Sequence, residues 1–240
     1  MVANSYWLAE LAGRSAIAKA CGGVRVIPPG IDLTIFKPHD KELCRKQLGL
    51  PADAFVIVTG GASLEDTNKN VPWLLEQLSL LPELEKVIVL AFGEGSVPVP
   101  DRLSMRFAGS LRDRHHLARL FAAADVFVTA SLMETYGLTL VEAMACGTPV
   151  VAFRAGGIPE AAPEGQGAIL CEPQDGVALL EAITNFRKSP QLREKMGRVA
   201  HETAHGRNAA SSFGSNFAQL YRECFDLKQT IAAATSALVT

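Results

Sequence analysis

Short apolar segments alternate along the chain with longer amphipathic segments. The apolar segments are rich in β-branched residues and lack a polar face, which is typical of parallel strands covered by helices on both sides. They are Val24–Pro28, Phe55–Gly60, Val87–Phe92, Met105–Ala108, Val126–Thr129, Val150–Phe153 and Ala168–Cys171. The segments between them predict helices at about Lys41–Leu48, Val71–Leu80, Arg114–Ala123, Leu138–Cys146 and Val177–Arg187. This alternation predicts an α/β fold with a doubly wound, Rossmann-like parallel sheet and right-handed crossovers.

The two ends of the chain depart from this alternation. Val2–Lys19 has a helical pattern, and two more helices are predicted at Gln191–Thr203 and Ser212–Gln229. Residues 230–240 are rich in Ala, Ser and Thr and carry no motif, so we expect a frayed, disordered tail. The sequence therefore predicts one domain with helical ends over residues 1–229.

Composition narrows the class of protein further. The formal net charge is −2, so no bulk positive field exists to hold nucleic acid. Five cysteines are scattered without a C-x-x-C pair, which favours reduced thiols and a cytoplasmic protein. No apolar run approaches the roughly 18 residues of a membrane span, which leaves at most a peripheral contact with the inner face of the membrane.

The segment with the most candidate chemistry follows the strand Val126–Thr129. A polar loop leads there into a helix that begins near Gly137, and a helix start offers unpaired N–H groups and partial positive charge. A diphosphate gains both hydrogen bonds and charge compensation at such a place, and a glycine allows its close approach. The hydroxyl of Thr139 adds a further donor.

Two carboxylates bracket this helix start. Glu134 lies in the loop before the helix, and Glu142 lies within the helix, eight residues later. Carboxylates repel phosphate but accept hydrogen bonds from sugar hydroxyls, so a ribose or hexose is the better partner. The spacing alone leaves the alternative that Glu142 is a solvated helix residue and Glu134 a cap.

A second glycine-bearing loop follows the strand Phe55–Gly60. It contains Gly61 and then Lys69 just before the next helix, an arrangement suited to binding phosphate. The alternative is that Lys69 is an ordinary solvated lysine.

Several linked motifs together resemble one family. The run Glu134-Thr-Tyr-Gly-Leu-Thr-Leu-Val-Glu142 resembles the E-x7-E signature of retaining glycosyltransferases with two Rossmann-like domains, the GT-B kind. It is most similar to the large family that includes bacterial mannosyl-, glucosyl- and galactosyltransferases. Further similar segments lie in the expected order, namely Val26–Asp32, Phe36–Pro38, Leu117–Ser131 and Gly156–Glu160. The resemblance covers about residues 1–225 and implies the carboxyl-terminal, donor-binding half of the GT-B fold.

The resemblance implies a role for each matching position. Glu142 would hold the ribose hydroxyls, and Glu134 would contact the transferred sugar near the reacting phosphate. Lys69 would neutralise the leaving diphosphate, which makes Glu134 and Lys69 the catalytic candidates. The backbone groups that would meet the donor belong to Tyr136, Gly137, Leu138 and Thr139, to Gly61, and, around the nucleobase, to Gly109 and Leu111.

The basic loop departs from the family pattern. Asn68 or Ser63 stands where the family has an Arg, and Asn70 replaces a common Gly, so the loop lacks part of the family's catalytic pattern. We expect neither a metal nor a cofactor, because Lys69 and the helix start can neutralise a diphosphate.

The function implied is transfer of a hexose, with retention, from a nucleoside diphosphate sugar to a glycan, lipid or small-molecule acceptor, as in polysaccharide biosynthesis. In such enzymes an acceptor domain precedes this half; we expect that domain to be missing from this sequence and this hexosyltransferase half to be inactive alone. Apolar residues near the end would support a homodimer, namely Phe217, Leu220, Tyr221 and Phe225. The alternatives are a non-catalytic nucleotide-sugar-binding module and an epimerase of similar fold, and the linked motifs disfavour the epimerase.

Overall fold

The computed structural model describes residues 1–237, with side chains described for residues 1–226 and for Gln229. The strands are β1 (Val2–Ala3), β2 (Arg25–Val26), β3 (Phe55–Ser63), β4 (Val87–Glu94), β5 (Ser104–Gly109), β6 (Val126–Thr129), β7 (Val150–Phe153) and β8 (Ala168–Cys171). The helices are α1 (Tyr6–Gly13), α2 (Ala16–Ala20), α3 (Lys41–Gln47), α4 (Val71–Leu78), α5 (Arg114–Ala123), α6 (Leu138–Ala145), α7 (Ile158–Ala161), α8 (Gly176–Lys188), α9 (Pro190–Arg207) and α10 (Ala210–Ala237), with a 3₁₀ turn at Leu84–Lys86.

Six strands form one parallel sheet in the order β5-β4-β3-β6-β7-β8. Renumbered within the sheet, this is the 3-2-1-4-5-6 order of a doubly wound Rossmann-like fold, so the predicted fold class is confirmed. The order reverses between β3 and β6, where the chain leaves the sheet in opposite directions. A crevice therefore opens beyond the carboxyl ends of these two strands.

The central strands are buried on both faces. Residues 56–58 of β3 and 126–128 of β6 have no solvent exposure, and both runs consist of Val, Ile and Phe. Helices cover the two faces through apolar stripes such as Leu74, Leu75 and Leu78 of α4. This packing accounts for the continuous apolar runs in the sequence and makes the sheet a rigid support for the loops at its edge.

The predictions for the amino-terminal segment need correction. The predicted strand Val24–Pro28 is reduced to β2, which pairs in parallel with β1 in a separate two-stranded sheet. Pro28 and Pro29 have no N–H to continue a ladder. The predicted helix Val2–Lys19 begins instead with β1 and is divided into α1 and α2, because Ser5 and Ser15 each cap a new helix start.

The helical end folds back onto the loop after β2. The N–H of Ile31 donates to the carbonyl of Asn208 at 2.8 Å, and the N–H of Ala210 donates to the carbonyl of Ile31 at 3.1 Å. Helix α10 continues to Ala237, past the predicted domain boundary at residue 229; residues 238–240 of the predicted tail lie outside the described residues. In the part of the chain described, no helix has the length and apolar character needed to cross a bilayer.

Candidate functional site

The crevice between β3 and β6 brings together the two catalytic candidates. Lys69, from the loop after β3, forms an ion pair with Glu134, from the loop after β6, and both side chains are largely buried. Hydrogen bonds fasten the two loops to each other: the amide of Asn68 donates to the carbonyl of Met133 at 2.6 Å, and the N–H of Leu132 donates to the carbonyl of Asn68 at 2.8 Å. These hydrogen bonds hold the two loops, and with them Lys69 and Glu134, next to each other.

The start of α6 forms one wall of this crevice. Gly137 occupies the N-cap position with φ 102°, a left-handed conformation that favours glycine, and no side chain caps the helix. The positive end of α6 is thus turned toward a cleft with a volume of about 290 Å³. The cleft is lined by Asn4, Pro29, Lys69 and the run from Glu134 to Thr139.

Two glycines hold the loop of Glu134 in place. The N–H of Gly157 donates to the carbonyl of Glu134 at 2.7 Å. A Cβ on Gly156 would lie 2.2 Å from that carbonyl oxygen, and a Cβ on Gly157 would lie 2.3 Å from the carbonyl oxygen of Thr135. Only glycine allows this close approach of backbones, so Gly156 and Gly157 pack directly against the loop that carries Glu134.

Tyr136 is held by a buried amide. Its hydroxyl accepts a hydrogen bond of 2.7 Å from the side-chain amide of Asn208, which also donates to the carbonyl of Pro29 at 3.0 Å. Tyr136 and Asn208 are both almost fully buried. The junction of α9 and α10 therefore fixes the residue that precedes the helix start, a contact that the sequence pattern did not indicate.

The side chain of Glu142 is largely shielded from solvent. It is 13% exposed, and burial raises the pKa of its carboxyl group to about 7. The guanidinium of Arg114 lies 4.0 Å from Glu142 and lowers this pKa in opposition to the burial. Arg114 itself lies over the ring of Phe36, 5.1 Å from its centroid. The alternative that Glu142 is a solvated helix residue is therefore wrong.

The remaining candidates lie around the same edge of the sheet. Gly61 stands against the side chain of Lys69, since a Cβ there would lie 3.3 Å from the lysine Cε. Gly109 ends β5 in a left-handed conformation, and Leu111 is half-buried beside the core. Gly109 ends the edge strand β5, Leu111 lies in the loop after it, and neither lines the cleft at Lys69. Their assignment to a nucleobase stays a prediction.

Glu160 has a structural role that its position does not reveal. Its carboxylate accepts hydrogen bonds from the N–H groups of Tyr6 and Trp7 at 2.7 and 2.8 Å, at the start of α1. It thereby binds the amino-terminal segment to the crevice, where Asn4 donates to the hydroxyl of Thr135 at 3.1 Å. Glu160 therefore acts as the cap of the start of α1.

A larger cavity, of about 970 Å³, lies at the opposite end of the strands beside Asp125. Asp125 accepts hydrogen bonds there from Lys41, Arg45 and the N–H of Val56, each at 2.7 Å. These partners saturate the carboxylate, so we assign the cluster to structure. Among the described residues, no group of three or more His, Cys, Asp or Glu side chains is placed to hold a metal ion.

The strand order, the glycine-lined crevice and the opposed Lys69 and Glu134 define a Rossmann-like domain of the GT-B type. Residues 54–188 match the family model described as glycosyl transferases group 1, a match that includes β3 to β8 and more than half of the chain. The chain belongs to this family, as the resemblance implied.

Known proteins agree with this placement. A D-inositol 3-phosphate glycosyltransferase from an Arthrobacter strain is 32% identical over 196 residues, which are 76% of this chain and 46% of that protein. Sucrose-phosphate synthase from Thermosynechococcus elongatus matches with a TM-score of 0.78 at 30% identity, over 94% of this chain and 58% of the other. Anabaena HepE, solved with UDP-glucose, matches with a TM-score of 0.77 at 26% identity, over 92% and 63%. The chain spans about half the length of these relatives and corresponds to the carboxyl-terminal half of the GT-B fold.

Proposed function

We propose that this chain is the donor-binding half of a retaining glycosyltransferase, which transfers a hexose from a nucleoside diphosphate sugar to a glycan, lipid or small-molecule acceptor. One observation carries the proposal: Lys69 and the uncapped start of α6 meet at the point where the strand order reverses. A buried cation beside the positive end of a helix is suited to an anion with two phosphate groups.

The donor would occupy the crevice in a fixed order. The diphosphate would lie against the backbone of Gly137, Leu138 and Thr139 and would take Lys69 from its ion pair with Glu134. Glu134, thus released, would accept hydrogen bonds from the transferred hexose. Glu142 would accept hydrogen bonds from the ribose, with the nucleobase toward Gly109 and Leu111.

Uridine is the nucleobase we favour for the donor. Support comes from Anabaena HepE, whose solved complexes contain UDP and UDP-glucose and whose structure covers 92% of this chain. The names of the relatives do not determine the hexose or the acceptor for this chain, so we leave both at the level of class.

Catalysis would rest on stabilising the leaving diphosphate. As the anomeric bond breaks, negative charge grows on the phosphate oxygen, and Lys69 with the α6 dipole would offset that charge. Neither carboxylate is free to attack the sugar, because Glu142 is committed to ribose and Glu134 to sugar hydroxyls. Transfer would require the acceptor-binding domain that completes the cleft in two-domain relatives, working in the cytoplasm or at the inner face of the membrane.

A binding module without turnover is the second candidate, and one observation favours it. The side chain of Asn68, one of the two positions at which the family's Arg is expected, donates to the carbonyl of Met133. Lys69 is therefore the one cation of this loop that lines the cleft described here. With less positive charge at the leaving group, the chain would bind a nucleotide sugar more readily than it would activate one.

Thermal shift with UDP, GDP, ADP and CDP, each with and without its sugar, tests the binding proposal. A ligand that binds the folded chain raises its Tm with concentration, and we expect UDP to raise it most. Glu142→Ala is the matched variant: it should weaken nucleoside diphosphates but leave pyrophosphate unchanged. Equal loss for both ligands would remove the ribose assignment, and no shift with any nucleotide would remove the proposal.

Release of UDP separates the two candidates. The chain is joined to the acceptor domain of a two-domain relative and incubated with UDP-glucose and a panel of glycan, lipid and inositol acceptors. Acceptor-dependent release of UDP supports the transferase. Tight binding without release over the whole panel supports the binding module.

A further inference from the structure

The large cavity beside Asp125, here called the Asp125 cavity, has an excess of positive charge. Its volume of about 970 Å³ is in the range of small-molecule sites. With histidines taken as neutral, cations outnumber carboxylates in its lining, with Lys41, Arg45, Lys46, Arg193 and Arg198 against Glu42, Asp125 and Glu194. The whole chain has a formal net charge of −2, so this excess is local.

The excess lies at the centre of the cavity and not at its exposed edge. Lys46 follows Glu42 by four positions on α3, and Arg198 follows Glu194 by four positions on α9. All four of these side chains are exposed. Opposite charges at this helical spacing offset each other, so the unbalanced charge belongs to the group around Asp125.

Three cations surround the carboxylate at the centre of the cavity. Lys41 and Arg45 each lie 2.7 Å from Asp125. Arg193 approaches the same carboxylate to 3.3 Å. Asp125 balances one of these three positive charges, and a buried excess of charge is unfavourable unless an ion of opposite sign accompanies it.

Two of these cations keep donors that a ligand can reach. The ammonium group of Lys41 has three N–H donors, and Asp125 accepts a hydrogen bond from it at 2.7 Å. The Nη1 atom of Arg193 donates to the carbonyls of Phe186 and Arg187, whereas its Nη2 atom donates no hydrogen bond within the described part of the chain. The side chain of Lys41 is 41% exposed and that of Arg193 is 21% exposed, and both line the cavity.

The cations are held in place without a ligand. The buried guanidinium of Arg45 donates to the carbonyls of Ala123 and Ala52 at 3.0 and 2.8 Å. The guanidinium of Arg193 lies over the ring of Phe55, 5.6 Å from its centroid. Because these groups are already positioned, a ligand would bind them at little cost in side-chain entropy.

The protonation of Lys41 is affected by the same excess of charge. Burial lowers the pKa of its ammonium group, and the neighbouring guanidinium groups of Arg45 and Arg193 lower it further. Asp125 raises this pKa but does not restore it to its ordinary value. An anion bound beside Lys41 would therefore stabilise its charged form.

We propose that the Asp125 cavity is a second ligand site, which binds a small molecule carrying a phosphate group. A phosphate group carries about −1.5 to −2 charges at pH 7 and three strong acceptor oxygens, which matches the positive charge that Asp125 leaves unbalanced. Ammonium and guanidinium groups form strong hydrogen bonds with such oxygens. The Asp125 cavity and the cleft at Lys69 share no lining residue, so this inference goes beyond the proposed function and does not depend on it.

Amide NMR spectra of the isotope-labelled chain would locate the site. The chain is titrated with inorganic phosphate and with ribose 5-phosphate, and ribose and sodium chloride are the controls at matched ionic strength. We expect both phosphates, and neither control, to shift the amide signals of residues 146–148, which line the Asp125 cavity. The signals of residues 137–139 report on the crevice separately. A lower Kd for ribose 5-phosphate would support a phosphorylated metabolite as the ligand, and equal Kd values would support phosphate itself.

Three variants test which side chains hold the phosphate. Lys41→Gln removes a charge and a donor and should raise the Kd about tenfold, the effect of one charge-assisted hydrogen bond. Arg198→Glu reverses a charge at the exposed edge of the cavity and should raise the Kd about threefold. Lys195→Glu is the matched control, because Lys195 is an exposed residue of α9 that does not line the cavity, and it should change the Kd by less than about twofold. Arg198→Glu keeps the test decisive if Lys41→Gln fails to fold, because Arg198 is exposed.

Three results would overturn the inference. Equal shifts of residues 146–148 with phosphate and with sodium chloride would show that salt screens the cluster and that no phosphate binds. Shifts confined to residues 137–139 would place the phosphate in the crevice. Equal Kd values for Arg198→Glu and Lys195→Glu would show that only the overall charge of the chain attracts the anion. Each of these results leaves UDP binding, which tests the proposed function, as a separate measurement.

Discussion

Glu142 and Arg114 lie 4.0 Å apart in a pocket that leaves only 13% of the Glu142 side chain exposed. Burial raises the pKa of the carboxyl group to about 7, and Arg114 opposes that rise without cancelling it. The carboxylate is therefore poised to change its charge near neutral pH, at the position where the ribose is expected.

Nucleotide binding should depend on pH because of this group. An ionised carboxylate accepts hydrogen bonds from both ribose hydroxyls, whereas a protonated one gives up part of that capacity. We expect the affinity for UDP to rise as the pH increases through about 7. Titration calorimetry between pH 5.5 and pH 8.5 measures this affinity. The range extends roughly 1.5 units to either side of that pKa. Glu142→Gln should flatten the profile, and Arg114→Ala should move its midpoint to higher pH; a profile that Glu142→Gln leaves intact would contradict this assignment.

The same carboxyl group should lower the stability of the empty protein at high pH. Its pKa in the fold, about 7, lies above the ordinary value of 4.5. Between these values the unfolded chain ionises while the folded chain stays protonated, so stability falls as the pH rises and the loss is complete above about 7. Glu142→Gln should raise the free energy of unfolding at pH 8 by up to about 3 kcal/mol and change it little near pH 5. Urea unfolding at both pH values measures this, and an equal effect at both would contradict it.

The close approach of Gly156 to the Glu134 loop should make it intolerant of any side chain. Gly156→Ala places a Cβ 2.2 Å from the Glu134 carbonyl oxygen, with the backbone at φ 58°. Gly165→Ala is the matched control, because Gly165 has φ 73° but open space around its Cβ position. We expect the control to lose about 1 kcal/mol of unfolding free energy from backbone strain alone, and Gly156→Ala to lose about 2–4 kcal/mol and to bind nucleotide more weakly. Equal losses would show that the contact is unimportant.

Tyr136 and Asn208 should behave as one unit toward the nucleotide. Asn208→Ala and Tyr136→Phe each remove the 2.7 Å hydrogen bond between them. If that bond aligns the backbone before Gly137, each single variant should weaken UDP binding about three- to tenfold, and the double variant should be little worse than either. A double-mutant cycle measured by calorimetry gives the coupling. Additive losses would show that the two residues act on the nucleotide separately.

Residue patterns in the sequence predicted the parts of the site that depend on local structure. Gly137 and Lys69 were found because each follows a recognisable strand. Asn70 departs from a common Gly, and it takes the left-handed conformation, φ 54°, which asparagine tolerates better than most residues. These residues could be predicted because the physical cause of their position lies within a few residues of them in the sequence.

Contacts over long sequence distances could not be predicted in this way. Asn208 reaches Tyr136 across 72 positions, and Glu160 reaches Tyr6 across 154. Neither residue type is unusual in a helix or a loop, so no local pattern distinguishes them. The short β1–β2 sheet was missed for a related reason: two-residue strands leave no periodicity to detect, and the pairing of Val2 with Arg25 is decided by packing.

The ion pair of Lys69 with Glu134 leads to the last prediction. Lys69 is held beside a carboxylate in the empty protein, so a diphosphate must compete with Glu134 for the ammonium group. A diphosphate competes successfully with one carboxylate for the ammonium group, because it has two phosphate groups and also contacts the helix start. Lys69→Ala should therefore weaken the binding of UDP and of pyrophosphate alike, by about tenfold at low salt. The loss should shrink as salt rises, because ions screen part of the attraction that the lysine supplies. Lys86→Ala is the control, since Lys86 also pairs with a carboxylate, at 2.7 Å from Asp53, but on an exposed surface away from the cleft. Titrations of both variants with UDP and pyrophosphate at two salt concentrations measure these effects, and equal behaviour of the two variants would show that Lys69 does not bind the diphosphate.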